Sequence, residues 1–537
     1  MLRIALAQHR FPVGAVDANA DRIFALAREA RERGAGLIVF PALTLSGGAP
    51  DGLLDEPGFL AACRTRVDDL ARELDGIACI VGWPEQIDGR RWRAAAVTAG
   101  GRILATWREP WPGDPPPAAA APPARFELAG VRLELAGLDE AGTAGPAGAA
   151  PAALRLVPLA TPFEHGAPAA LADDAARAAH EYGIAVAACN LVGGEDSRVF
   201  FGGSLLAGRS GAVQRAAAFS EALLLADFDP VEGTFRGAEG TATAEDSREG
   251  QAWAAIVMAL GDYFRRNGFA RTWLGLSGGI DSALVLCAAV EALGPDKVVA
   301  VRLPSRYTSG ASNDLAAEQA ARLGVKLLSV PIEAPVAGFT AALQPGFAHA
   351  ASLGLGPEVG RPGDTTLENL QARSRGAILM ALANRFGGLV LNTSNKSESA
   401  VGYGTIYGDM VGGYGPIQDL YKTEVYAISR WLNTRAGAPV IPPEVITRAP
   451  SAELRENQVD QDSLPPYEVL DAILHRHIEE RQDLRAIVAA GFDESVVTRV
   501  LGLIRISEWK RRQVPPGPKL SRRTLAERNW PIGSGWA

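Results

Sequence analysis

The nine residues Leu274–Ser282 read LGLSGGIDS and stand between an apolar strand-like run and an apolar helix-like run. Two adjacent glycines, Gly278 and Gly279, let the backbone approach an anion with no Cβ in the way. A helix starting at that point aims its free N–H groups at the same place. Ser277 and Ser282 add hydroxyl donors, and Asp281 stands where a carboxylate could hold the Mg²⁺ that a polyphosphate brings with it. Glycine turns between strand and helix are common. The full S-G-G-x-D-S string in a strand–loop–helix context is not, and it points to a phosphate site. Lysine is informative beside it, because the first lysine of the chain is Lys297. Later lysines fall within short polar segments, and Lys396, Lys422 and Lys510 could offset phosphate charge there. Lys297 and Lys326 read as solvated surface residues.

The string resembles the pyrophosphate-binding loop of the ATP-pyrophosphatase (PP-loop) superfamily, whose members cleave ATP between the α and β phosphates and adenylate a carboxylate or carbonyl oxygen. Further segments narrow the resemblance. Pro304–Tyr307 follows a second strand, and Glu368–Arg373 opens a helix with Asn369 and Arg373 four apart and so on one face. Asn392–Glu398 ends a strand, at the edge where such sheets bind ligands. Then come Tyr407–Met410, Gly415–Ile417, Asp419–Thr423, Arg448–Leu454, Asp460–Tyr467 and Lys510–Gln513. In this order and spacing they resemble the synthetase domain of NAD⁺ synthetases over residues 245–530. The resemblance implies ATP-dependent amidation of deamido-NAD (nicotinic acid adenine dinucleotide) through an adenylated nicotinate that ammonia attacks. Carried over by position, Gly275, Leu276, Ser277, Gly278, Gly279, Ile280, Asp281 and Ser282 would bind the ATP phosphates. Thr393, Lys422 and Ser451 would also contact ATP, and Asp281 and Glu398 would hold Mg²⁺. Asn369, Arg373, Glu398, Asp409 and Lys510 would contact deamido-NAD. Asp281, Lys396 and Glu398 are the residues expected to carry the chemistry.

The first half resembles a nitrilase-like amidase domain, which in glutamine-dependent members of that family hydrolyses glutamine with a Glu–Lys–Cys set. Leu37–Leu45 (LIVFPALTL) resembles the strand ending in the family's F-P-E, and Asn190–Gly203 (NLVGGEDSRVFFGG) its N-Q-V-G-G segment. Each reactive position differs. Ala42 stands where the general base should follow Phe40-Pro41. Arg108 occupies the region of the lysine, and no lysine precedes Lys297. Leu138 stands nearest the missing thiol. Cys63, Cys79 and Cys189 fall in apolar strand-like or helix-like runs and read as buried, unreactive thiols. Covalent amidase chemistry needs thiolate, base and cation together, so this half reads as a pseudo-glutaminase. The synthetase would then use free ammonia, or ammonia from a separate glutaminase; the alternative is glutamine dependence through an atypical or partner-supplied glutaminase.

The elements that must position these residues fall into two sets. In residues 1–230, strands at Arg3–Gln8, Leu37–Pro41, Cys79–Trp83 and Ile184–Asn190 alternate with helices at Ala18–Arg33 and Pro168–Tyr182. Hairpins follow at Ala94–Ala99 with Arg102–Trp107 around Gly100-Gly101, and at Phe200–Ala207 with Val213–Ala218. This order suggests a layered α/β sandwich. From Ser247 onward, helices at Glu249–Arg266, Asp281–Leu293, Ser312–Leu323 and Leu367–Phe386 alternate with strands at Thr272–Leu276, Val298–Leu303, Lys326–Pro331 and Leu389–Thr393. That pattern gives a doubly wound parallel sheet. The fold class is therefore α/β: a nitrilase-like αββα sandwich over residues 1–235, a linker at 236–246, and a PP-loop (adenine nucleotide alpha hydrolase-like) synthetase domain over 247–537. Pro110–Pro123 and Ala141–Ala153 read as surface loops.

Bulk properties agree with this reading. The 537 residues carry a net charge of −8, with 47% apolar and 21% charged side chains, which excludes global disorder and gives no positive field for nucleic acid. The four cysteines, the last of them Cys287, have no C-x-x-C spacing, so neither a zinc cage nor a disulfide framework is indicated. No leader segment or membrane span is read, and the expected location is the cytoplasm. RNA thiolation shares the phosphate loop but usually needs a reactive cysteine and a basic surface. A purely structural scaffold is hard to square with an intact loop, Glu398 and Lys510. A paralogue amidating another carboxylate is disfavoured by the Asn369 and Lys510 segments. The resemblance further implies a homo-oligomer, dimeric through the synthetase domain.

Overall fold

A computed structural model describes residues 1–114, 122–138, 151–243, 247–356, 364–528 and 530–534. Most of the two tracts read as surface loops, and the end of the stretch read as a linker, lie outside these. The chain divides into two compact units, Met1–Ser247 and Arg248–Ala537. Residues 236–239 are no linker: they complete the strand Thr234–Glu239, which pairs with Ala222–Asp229.

The first unit holds a seven-stranded sheet and a six-stranded sheet. Alternation along Leu2–Gln8 explains the layering. Leu2, Ile4 and Leu6 point into a core shared by the two sheets. Ala5 and Ala7 point the other way, into a core built with the helices Val16–Glu32 and Pro57–Glu73. Large side chains fill the space between sheets, and small ones let the helices lie close. On the outer side of the second sheet, Ala167–Tyr182 packs against the strand Ala185–Asn190. The Gly100-Gly101 hairpin forms with both glycines at positive φ, as a tight two-residue turn requires. The strand expected over Phe200–Ala207 is instead two strands, Arg198–Phe201 and Leu205–Ala207. Gly202 and Gly203, at φ +69° and +65°, break it between them.

The second unit is built on a four-stranded parallel sheet in the spatial order Lys326–Ser329, Val298–Arg302, Thr272–Gly275, Leu389–Val390. Chain order reverses direction between the strands at 272 and 389. Open α/β sheets bind ligands in the crevice beyond the carboxyl ends of strands at such a point. The two segments leaving it are Leu276–Ser282 and Leu391–Glu398, the motifs singled out for chemistry. Helices Ile280–Leu293 and Thr366–Phe386 flank the sheet. Unexpected from sequence are the helix Glu333–Ser352, none of whose residues is buried, and a helical cluster formed by Tyr467–Ile478, Leu484–Ala489 and Glu494–Ile506.

Candidate active site

Strand Thr272–Gly275 ends in a loop held open by its own glycines and serines. Leu276 N–H donates to the Val301 carbonyl at 2.9 Å, fixing the loop to the neighbouring strand. Gly278 sits at φ +80°, and a Cβ there would meet the Ser312 carbonyl at 2.3 Å, so only glycine fits. Ser277 Oγ accepts from Gly279 N–H at 3.2 Å and lies 3.1 Å from Ser282 Oγ, whose hydroxyl donates to the Gly279 carbonyl at 3.0 Å. Ser277 and Gly279 are exposed, and the helix Ile280–Leu293 starts immediately after them. The result is a cradle of N–H and O–H groups at a helix N-terminus, suited to an anion.

Asp281 and Glu398 come together beside it. Lys422 Nζ donates to Asp281 Oδ2 at 2.5 Å and to Glu398 Oε1 at 2.9 Å, and it lies over the Tyr467 ring at 5.3 Å. Asn395, which sequence quoted within a motif but gave no role, orders the pair. Its side-chain carbonyl caps the helix Lys396–Val401 by accepting from Glu398 N–H, and its amide donates to Asp281 Oδ1 at 2.9 Å. The N-x-x-E spacing of a capping box was the available signal. Burial raises the Glu398 carboxyl to about 7, outweighing the ammonium of Lys422. Lys422 is raised in turn: Asp281 and Glu398 overcome the cost of its burial. Two carboxylates sharing one cation form the oxygen pair that a hard divalent ion takes, with phosphate oxygens and water completing its shell. The residues present therefore fit Mg²⁺. Asp460, also without an expected role, accepts from Tyr467 Oη at 2.7 Å and Tyr403 Oη at 3.4 Å at the border of this cluster.

Lys396 is elsewhere, contrary to the role expected for it. Its ammonium is fully buried and bound to Asp419 at 2.9 Å, Glu479 at 3.0 Å, Ser521 Oγ at 2.7 Å and the Arg523 carbonyl at 2.9 Å. Three N–H protons are saturated by those four acceptors, leaving none for a phosphate. Lys396 ties the 521–523 segment to the interior. The hydroxyl of Ser451 is also engaged, donating to the Gln458 carbonyl at 2.5 Å. Thr393 is half-buried in the segment leaving the strand Leu389–Val390. The surface lysines Lys297 and Lys326 are exposed as read.

A second set converges on the turn Gly402–Asp409. Asn369 Oδ1 accepts from Thr405 Oγ1 at 2.9 Å, and Arg373 Nε donates to the Ile406 carbonyl at 3.2 Å. Asp409 Oδ1 accepts from Thr405 N–H at 2.6 Å. Lys510 Nζ donates to the carbonyls of Gly402 and Gly404, both at 2.9 Å. Residues from three segments remote in sequence thus meet at one place. Desolvation lowers the Lys510 ammonium, with Asp409 pulling the other way. Inside the turn, Gly408 packs on Ala372, and Tyr407, at φ +62°, is 73% exposed.

Residues 252–514 match the family described as NAD synthase. The chain is 48% identical to the glutamine-dependent NAD(+) synthetase of Xanthomonas campestris, over 100% of this chain and 98% of that protein. It is 40% identical to that of Rhodobacter capsulatus over 99% and 98%. The chain belongs to the NAD synthase family. Among solved structures it resembles the glutamine-dependent NAD+ synthetase of Acinetobacter baumannii in complex with ADP, with a TM-score of 0.75 and 34% identity over 100% of this chain and 99% of that one. The Cytophaga hutchinsonii synthetase shares the fold at a TM-score of 0.81 and 20% identity, over 99% and 98%. The fold class is the expected one, a nitrilase-like unit followed by a PP-loop unit.

In the first unit the three positions expected to be reactive each have other engagements. Ala42 is buried, and its N–H donates to the Leu159 carbonyl at 3.1 Å. Arg108 Nε donates to Glu85 Oε2 at 2.6 Å. The Leu138 carbonyl accepts from Arg155 Nη1 at 3.3 Å. All four cysteines are buried, and burial pushes Cys63, Cys79 and Cys287 up to about 12 and Cys189 higher still. Among the described residues no group of three His, Cys, Asp or Glu could hold a metal, and no helix is long and apolar enough to cross a membrane.

Proposed function

We propose that the second unit amidates deamido-NAD to NAD with ATP, releasing AMP and pyrophosphate. The observation that carries this is the pairing of an anion cradle and its Asp281–Lys422–Glu398 cluster with the Asn369, Arg373, Asp409 and Lys510 set on one crevice edge. The cradle of Ser277, Gly279 and the helix start binds the ATP phosphates and orients the α-phosphorus. The nicotinate carboxylate, held at the Gly402–Asp409 turn, attacks that phosphorus and pyrophosphate leaves. Asp281 and Glu398 would hold Mg²⁺, which would supply charge neutralisation on the phosphates. Lys422 holds the two carboxylates together beside the cradle. Ammonia then attacks the acyl carbon, AMP leaves with the C–O electron pair, and the nitrogen loses a proton.

Ammonia is the nitrogen that this chain can use unaided, because Ala42, Arg108 and Leu138 supply neither base, ammonium nor thiolate. A second reading is favoured by the full-length relatives named as glutamine-dependent: glutamine serves through an atypical set of groups in this chain, or through a separate glutaminase. The test is AMP release from deamido-NAD and ATP with ammonium and with glutamine in parallel. Turnover with ammonium alone supports the first reading. Equal turnover with glutamine in protein free of contaminating glutaminase supports the second through groups of this chain, turnover with glutamine only on adding a separate glutaminase supports its other form, and no AMP with either sinks both. We further propose a homodimer through the second unit, supported by the unburied helix Glu333–Ser352 and its exposed Phe339 and Phe347.

A further inference from the structure

We propose that Arg448 and Glu453 are positioning residues that hold the phosphate loop in its ATP-accepting shape through Ser312, an inference that rests on the ATP-dependent reading above. Ser312 lies in the first turn of the helix Gly310–Arg322 and is 3% exposed. Its two ends do different things. The carbonyl is the floor under Gly278, so close that a Cβ at Gly278 would stand 2.3 Å from it. The hydroxyl is gripped from the opposite side. Arg448 Nη1 donates to Ser312 Oγ at 2.6 Å, and that hydroxyl donates to Glu453 Oε1 at 2.8 Å. Arg448 Nη2 closes the clip by donating to the same carboxylate oxygen at 2.9 Å and to Ser309 Oγ at 3.1 Å.

This is a planar fork reading two hydroxyls and a carboxylate, a geometry a lysine does not reproduce. Glu453 adopts it at φ +50°, a conformation that costs energy for a residue with a Cβ and persists where surrounding contacts over-determine it. Between the two clip residues lies Ser451, whose hydroxyl accepts from Glu453 N–H at 3.2 Å. Clip and expected ATP contact therefore share one turn. Further along the same segment, Asp460 is tied to the tyrosines bordering Lys422. The segment is anchored at both ends, over the loop floor and over the carboxylate cluster. The dinucleotide set is held directly at the Gly402–Asp409 turn, and the clip's segment meets its helix beside it, where the Gln371 amide donates to the Leu454 carbonyl at 3.0 Å. Loosening the clip, which leaves that main-chain acceptor in place, should thus soften the phosphate loop and weaken ATP far more than deamido-NAD.

The experiment uses the full chain carrying Arg448→Ala, Arg448→Lys, Glu453→Gln and the pair R448A/E453Q. Amide exchange of residues 278–282 is measured without nucleotide, and calorimetry gives separate affinities for ATP and deamido-NAD. The expected result is loop exchange faster by about 10-fold and ATP affinity lower by about 10-fold, with deamido-NAD affinity within about 2-fold, as for residues coupled in one network. The Arg448→Lys protein should resemble Arg448→Ala, and the pair should be no worse than the more severe single change. Unchanged loop exchange and ATP affinity overturn the proposal, as does equal loss of both ligands. Where Arg448→Ala fails to fold, Ser312→Ala, which keeps the carbonyl floor and removes the gripped hydroxyl, is read by the same criteria. A wild type that binds no ATP refutes the functional reading, while the exchange comparison still decides the clip.

Discussion

Lys422→Met tests whether the carboxylate pair is held by a resident cation that another cation can replace. The substitution keeps most of the stem lying against Tyr467 and removes the ammonium bonded to Asp281 and Glu398. Those bonds, 2.5 and 2.9 Å laid end to end, put the two oxygens within about 5.4 Å of each other. At an effective dielectric of ~20, two like charges at that distance repel by ~3 kcal/mol. Removing one partner of a buried pair costs ~3–5 kcal/mol in general. The unfolding free energy should therefore fall by about 3–4 kcal/mol where Glu398 is ionised, and by less at pH 8, where its carboxyl, raised further in the variant, is largely protonated. Glu398 sets the pH dependence. Its carboxyl is already lifted to about 7 by burial, and without Lys422 it rises further. A carboxyl with a raised folded pKa favours the folded state when protonated, so the deficit is largest above that pKa and shrinks as pH falls to 6. Added Mg²⁺ should occupy the vacated place, stabilising by ~2.7 kcal/mol at a hundred times its dissociation constant. In the wild type Mg²⁺ must displace an ammonium and gains less. Urea unfolding at pH 6 and 8, with and without MgCl₂, reads all three effects. Equal stability of variant and wild type at pH 8, or equal Mg²⁺ increments in both, would refute the reasoning.

Lys396→Met strips Asp419 and Glu479 of their shared cation and should cost ~3–5 kcal/mol in urea unfolding while leaving ATP affinity within about 2-fold; the reverse pattern would return Lys396 to the phosphates. The four thiols carry negligible thiolate at pH 8, since burial holds three at about 12 and Cys189 above them. Iodoacetamide should therefore label the protein only in denaturant, and rapid labelling of Cys189 in the native chain would revive a nucleophile in the first unit. Burial works against the charged Glu221, but His9, the Arg10 N–H and Arg22 hold it at about 2 against an ordinary 4.5. With a side chain 31% exposed, this depressed carboxyl contributes about 1–2 kcal/mol above pH 4.5 that is lost as pH falls towards 2. Glu221→Gln should then destabilise at pH 7 and progressively less at pH 4 and 3, and a constant deficit would contradict the linkage.

Legibility in the sequence followed the range over which each signal acts. The layers of both units follow from alternation and helix periodicity, local patterns that survive in a single chain: Ile4 and Leu6 face one core, Ala5 and Ala7 the other. The phosphate loop was readable because its requirement is local, a left-handed glycine beside a helix start. The partners of lysines were not, because they are tertiary. Lys396 and Lys422 stand in equally polar motifs, yet one is saturated by Asp419 and Glu479 and the other by the loop's own Asp281. Nothing within a few residues of either distinguishes them. Arg448 and Glu453 were quoted as a motif without a role for the same reason, since Ser312 lies more than a hundred residues earlier.

In the first unit the segments around Ala42 and Leu138 are fixed by main-chain contacts. The turn after Phe40 is fixed by backbone: Ala42 N–H reaches the Leu159 carbonyl, and Gly82 lies so close that a Cβ there would stand 2.7 Å from Leu43 N. At Leu138 the fixing group is again the main chain, through its carbonyl on Arg155, itself buried against Glu134 at 2.8 Å. Main-chain bonds are indifferent to which side chain projects from them, whereas covalent chemistry depends on nothing else. The frame at these two positions therefore does not depend on which side chain they carry. An apolar side chain at such positions also avoids the desolvation cost of a buried charge. The nitrogen-donor assay therefore measures a property that stability of the unit cannot report.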